Sequence, residues 1–273
     1  MPTDNHQSTT ATIRDLAIAI AMATKEAVLV GGQSVLFWSE IYNVPTPDNI
    51  AALTEDVDFV ANAVDAFDAE AAISLKYHVD LRIATMDDAT PNSAKMTVDV
   101  PGVGKINVDF LRAITGLDMD EILEDAAIIN VDGAQIKVIP PLLLMKSKIS
   151  NLGAHLNKRC PEGIAQAKMS IEILRRHMDL WITSNQNTNP PYQQFEQIIR
   201  FSRSDAALYA YKFHGIDPMA ALPIDALPKD DSFLIKRLPV AQNHIKEHRK
   251  KFDALIERMD AFDKKPKSAR FQP

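Results

Sequence analysis

The chain has 273 residues, 46% of them hydrophobic and 24% charged, the make-up of an ordinary globular protein with room for one large domain or two modest ones. No apolar run approaches the roughly 20 residues that span a bilayer, the first ten residues lack a secretory pattern, and Cys160 alone makes neither an internal disulfide nor a zinc cage, so no membrane contact and a cytoplasmic location are expected. The net charge of -6 conceals an acidic front half, residues 1–140, with 8 Lys+Arg against 22 Asp+Glu, and a basic back half, residues 141–273, with 22 against 14.

Residues 12–25 have the apolar spacing of a helix, with Thr12 placed to cap it and Asp15 in its first turn. A short apolar strand at 27–30 follows, then the turn Gly31-Gly32, then an amphipathic helix from Gln33 to Tyr42. Residues 56–61 (DVDFVA) alternate polar and apolar as a strand does, and 66–76 predict a helix. Strands are predicted at 78–85, 95–100 and 105–111, and a hairpin at 126–131 and 134–138 turns on Asp132-Gly133. After Pro140-Pro141 the pattern becomes helical, over about 142–152, 162–182, 192–213 and 233–262. This predicts an α+β (mixed α/β) fold, with a mixed sheet and flanking helices in residues 1–140 and a helical domain in residues 141–273.

Side chains two apart on a strand share a face, so Asp56 and Asp58 project together while Val57 and Phe59 turn to the core. Paired carboxylates repel, and a hard divalent cation relieves the repulsion. Asp109, in the alternating strand Ile106-Asn107-Val108-Asp109-Phe110-Leu111, adds a third carboxylate if that strand lies beside the first. Three carboxylates suit a pair of cations that polarise a leaving phosphate and activate an attacking hydroxyl. Gly31 and Gly32 let backbone approach a ligand closely, the helix after them offers N–H groups to phosphate, and Ser34 adds a hydroxyl donor.

This order of motifs resembles the DNA polymerase β-like nucleotidyltransferase superfamily, and within it the AbiEii-type branch, which includes toxins of toxin–antitoxin systems. The resemblance covers about residues 25–180. It implies a nucleotidyltransferase fold and transfer of a nucleoside monophosphate from an NTP, ATP included, to a hydroxyl, with Mg²⁺ or Mn²⁺. It implies that Asp56, Asp58 and Asp109 are catalytic and ligate metal, and that Gly31, Gly32 and Ser34 hold the nucleotide. A lysine opening the helical region is implied too: Lys146 and Lys148 both qualify, and Lys148 is preferred because Ile149 and Leu152 fit the apolar positions after it. The interval from Gly32 to Asp56 implies an insertion around 40–54. The acceptor stays open between an RNA end, with tRNA the first candidate, a protein side chain and a small molecule, and an antitoxin is an implied partner. The alternative is a non-catalytic nucleotide- or protein-binding regulator that keeps the fold.

The pattern His244-Ile-Lys-Glu-His248 resembles a zinc-protease motif, but its Lys246, Arg249, Lys250 and Lys251 disfavour a cation, and a solvated basic helix is expected there.

Overall fold

The computed structural model describes residues 3–47, 54–85, 87–184 and 190–263. Part of the expected insertion around 40–54, the break at 185–189 and the tail from Lys264 lie outside the described residues. By contacts the chain forms two compact units, Met1–His177 and Met178–Pro273.

In the first unit, α1 (Thr3–Ala23), β1 (Val28–Val30), α2 (Gly31–Ile41), β2 (Val57–Val60) and α3 (Ala63–Ile73) precede three longer strands, β3 (His78–Ile83), β4 (Asn92–Val100) and β5 (Gly104–Leu111). Helix α4 (Met119–Glu124) and the hairpin β6 (Ala127–Val131) and β7 (Ala134–Val138) lead into α5 (Pro141–Ala154) and α6 (Pro161–Ser184). The strands make one mixed sheet in the order β3-β4-β5-β2-β1-β7-β6. Strand β2 runs antiparallel to β1 and parallel to β5, with Val57, Asp58 and Phe59 opposite Val108, Asp109 and Phe110. Alternation therefore splits the sheet cleanly. Val57, Phe59, Val108 and Phe110 are fully buried, and the two phenyl rings stack with centroids 6.2 Å apart. The aspartates of the same strands point to the opposite face.

The helices form near where the sequence pattern puts them, except for α4, which the pattern does not predict, and with informative differences. Helix α1 begins well before Thr12, which is an interior residue; Ile13, Leu16, Ala17 and Ile20 dock it in the core, and the polar residues ahead extend it. Asn62 caps α3 through its side chain, in a reciprocal box with Asp65. At the hairpin, Asp132 and Gly133 both have positive φ, 52° and 87°, as a type I′ turn requires. Leu143, Leu144, Ala165, Met169 and Ile173 belong to the same core as the sheet, so α5 and most of α6 fall in the first unit rather than beyond a boundary at residue 140.

In the second unit, the helix expected over 192–213 is two, α7 (Tyr192–Phe201) and α8 (Asp205–His214), because Ser204 takes an extended backbone and caps the second. Residues Phe233–Arg237 form a π-helical turn before α9 (Leu238–Asp263). Tyr192, Phe195 and Phe233 cluster, and Arg237 grips Glu196 through two 2.6 Å contacts. His244 and His248 are exposed on α9, and the Glu247 between them pairs with Lys250 at 2.7 Å. Among the described residues, no helix is long and apolar enough to cross a membrane.

Candidate functional site

Because β2 and β5 are parallel neighbours in register, Asp58 and Asp109 stand side by side on the sheet face away from the hydrophobic core. Asp56 lies just before β2 on the same side, and its Oδ1 accepts from the side-chain Nδ2 of Asn107, two residues before Asp109, at 3.4 Å. All three carboxylates line one cavity of about 430 Å³, together with Gly31, Gly32 and Lys148. That is within the range of small-molecule sites.

The glycine turn is built around Asp58. Gly31 has φ +68°, and a Cβ placed on it would stand 1.8 Å from Asp58 Oδ2. A Cβ on Gly32 would stand 2.4 Å from the Thr54 side chain. Both positions bring backbone against a polar wall where no side chain fits. Helix α2 starts at this turn with Val30 at its N-cap and no side-chain cap, so its first N–H groups are left for whatever enters the cavity. Ser34 is elsewhere: it is fully buried, its hydroxyl donates to the Gly31 carbonyl at 2.8 Å, and it does not line the cavity. Its hydroxyl closes the turn instead of reaching into the pocket.

The roof comes from α5 and the start of α6. Lys148 is buried at 6% exposure, with its ammonium 2.8 Å from Gln166 Oε1. Burial pushes its pKa down to about 7, against the pull of the nearby Asp58. Burial likewise holds the Asp58 carboxyl above the usual carboxylate range; Lys148 and Lys158 oppose that shift, while Asp109 and Asp56 reinforce it. Lys146, two residues earlier on the helix, is turned to Glu121 at 3.4 Å and is not at the cavity. The segment after α5 adds Lys158, and Gly163 lets α6 approach so closely that a Cβ there would meet the Lys158 carbonyl at 2.0 Å. Thr115 and His155, 2.9 Å apart, line the same cavity.

Among the described residues, no three His, Cys, Asp or Glu side chains form a ready metal-binding group. The acidic donors still suit a hard cation that brings other ligands with it. Mg²⁺ keeps several waters, binds through one or two carboxylates and takes phosphate oxygens. A carboxyl whose ionised form is disfavoured by burial and by two acidic neighbours is where such a charge gives relief.

Three residues at the site carry no sequence motif. Lys158 sits in a short turn after α5, and Asn92 and Thr54 come from segments that read only as loop or strand end. Asn92 donates from Nδ2 to Asp109 Oδ1 at 2.8 Å.

The profile of a family described as "Nucleotidyl transferase of unknown function (DUF2204)" matches residues 13–184. No curated protein matches the chain. Among solved structures, the Megavirus polyadenylate synthase is similar over 73% of this chain, at 10% sequence identity and a TM-score of 0.40. The chain spans 42% of the length of that protein.

Proposed function

The chain belongs to the family of nucleotidyl transferases of unknown function, and on that footing we propose that its cavity transfers a nucleoside monophosphate from an NTP to a hydroxyl with the help of Mg²⁺ or Mn²⁺. One observation carries the reading: Asp58 and Asp109 pair in register on adjacent strands, beside a glycine turn and under a buried lysine, in one cavity. Asp56, Asp58 and Asp109 would hold the divalent ions. Bound there, those ions would supply charge neutralisation on the polyphosphate and a more acidic acceptor hydroxyl.

The chain's own groups have separable tasks. The N–H groups of Gly31 and Gly32 bind phosphate oxygens at the uncapped start of α2. Lys148 and Lys158 face the same cavity and offset the triphosphate charge. As polyphosphate enters, it favours the ammonium form of Lys148, whose proton burial otherwise loosens. Asp109, whose side chain keeps a quarter of its surface exposed, is placed to orient the acceptor hydroxyl. Positioning and electrostatics do most of the work, as in phosphoryl transfer generally.

The reading is tested by pyrophosphate release from each NTP with Mg²⁺ and total RNA, comparing wild type with Asp56→Ala, Asp58→Ala and Asp109→Ala. Release that survives all three substitutions would overturn it. For the acceptor we favour RNA, with tRNA first: residues 141–273 carry 22 Lys+Arg against 14 Asp+Glu. RNA binding that ignores a fourfold rise in salt would contradict that choice. The AbiEii-type, toxin–antitoxin role rests on the motif order at 31–34, 56–58 and 109. It requires that expression arrest growth and that Asp58→Ala abolish the arrest.

A further inference from the structure

Strand β4 pairs residue for residue with β5 from Val100↔Gly104 to Ala94↔Phe110, and then slips, so that Asn92 stands opposite Leu111 and Ser93 is the extra residue. Along β4, Ala94, Met96, Val98 and Val100 are buried while Lys95, Thr97 and Asp99 take the other face. Without the slip, Asn92 would continue the buried series. One added residue turns it to the face of Lys95 and Asp109, the re-aiming that β-bulges give. The bulge is pinned: the Ser93 hydroxyl lies 2.7 Å from the Ala61 carbonyl and 3.1 Å from that of Phe110, and the Arg112 N–H donates to the Pro91 carbonyl at 2.8 Å.

Turned this way, Asn92 lines the cavity and its Nδ2 donates to Asp109 Oδ1 at 2.8 Å. Lys95 Nζ is 3.9 Å from the same oxygen, on a side chain half exposed to solvent, so it contributes little hold. Among the described residues, Oδ2 of Asp109 makes no hydrogen bond. The carboxyl is thus fixed by one oxygen and presents the other.

We infer that Asn92 is a positioning residue: its amide, aimed by the bulge at Ser93, locks the rotation of the Asp109 carboxyl so that Oδ2 faces the cavity. The inference rests on the reading of Asp109 as the third carboxylate of the site. A neutral amide does this without cancelling the charge a cation needs, which a salt bridge in its place would do. Outer groups that orient metal-binding carboxylates change affinity or activity by roughly 10- to 100-fold when removed.

The test uses the full chain with Asn92→Leu, close in shape but without a donor, and Asn92→His, whose ring N–H restores one. Asn92→Ala, which also lacks a donor, serves if the leucine variant does not fold. Crystal structures of the variants report the Asp109 carboxyl, titration with Mn²⁺ reports cation affinity, and steady-state pyrophosphate release reports kcat and KM. Expected for Asn92→Leu are a rotated or disordered Asp109 carboxyl, Mn²⁺ binding weakened about tenfold, and kcat lowered ~10- to 100-fold with the NTP KM changed less than threefold. Asn92→His recovers most of each. An unmoved carboxyl, or unchanged Mn²⁺ affinity, overturns the inference whatever the activity. A wild type that releases no pyrophosphate from any NTP sinks the transferase reading instead, and the first two measurements still decide the role of Asn92.

Discussion

Replacing Gly31 with alanine tests how tightly the glycine turn and the carboxylates are fitted. At φ +68° any L side chain carries a backbone penalty of about 1–2 kcal/mol. The new Cβ would also stand 1.8 Å from Oδ2, 2.7 Å from Cγ and 2.8 Å from Cβ of Asp58. Nonbonded atoms settle at about 3.5 Å, so the Asp58 carboxyl must retreat by well over an ångström. Overpacking of that kind costs about 1–3 kcal/mol, and the lower chain entropy of alanine in the unfolded state returns about 0.4–1 kcal/mol. The expected net loss is roughly 1–5 kcal/mol of stability in the unit that holds the site. A misplacement of 1 Å in a reacting constellation costs about 10²-fold in rate, so pyrophosphate release should fall by at least that much.

Gly102 is the control. It has φ +81° with nothing within 4 Å of an added Cβ, so Gly102→Ala meets the backbone penalty alone and leaves the rate unchanged. Urea unfolding and initial rates on both variants separate strain from displacement. If Gly31→Ala matches Gly102→Ala in both measurements, the close fit of the turn to Asp58 is not what the site depends on.

Two further outcomes follow from the same geometry. Lys148 has a folded pKa near 7 and an unfolded one near 10.4, so the folded state binds fewer protons between those values and burial of the charge destabilises fully only below about 7. Lys148→Met should therefore gain on wild type as pH falls from about 10 to about 7 and stay level below; a difference that does not vary with pH in urea titrations contradicts this. Ser34→Ala removes the 2.8 Å bond to the Gly31 carbonyl and should cost about 1 kcal/mol, with the NTP KM within twofold of wild type. A tenfold rise in KM would return Ser34 to the phosphate-binding role its motif suggested.

The sheet was legible wherever one face is buried and the other is not. Residues 56–61 and 105–111 alternate because Val57, Phe59, Val108 and Phe110 must enter the core, and the same alternation forces Asp58 and Asp109 outward together. That the two strands are neighbours, which the site needs, is a tertiary fact no local pattern holds. The direction of the Ser34 hydroxyl is not legible in the sequence, because a periodicity cannot tell a side chain that reaches a ligand from one that bends back three residues to a carbonyl. Asn92 was invisible for a related reason: its direction depends on a register slip against β5, and its own neighbours, Pro91 and Ser93, read only as a turn. The break at Pro140-Pro141 marks a change of element type, while packing carries the core past it to Ile173.

In the proposed reaction, carboxylates at 58 and 109 direct attack at the α-phosphorus of a nucleotide. It is tested most directly by supplying one NTP labelled either at the α- or at the γ-phosphate, with Mg²⁺ and RNA. Expected are α label joined to the acceptor, γ label only in released pyrophosphate, and neither product from Asp58→Asn or Asp109→Asn. Transfer of the γ label to the acceptor, or α labelling that persists in both variants, would contradict it.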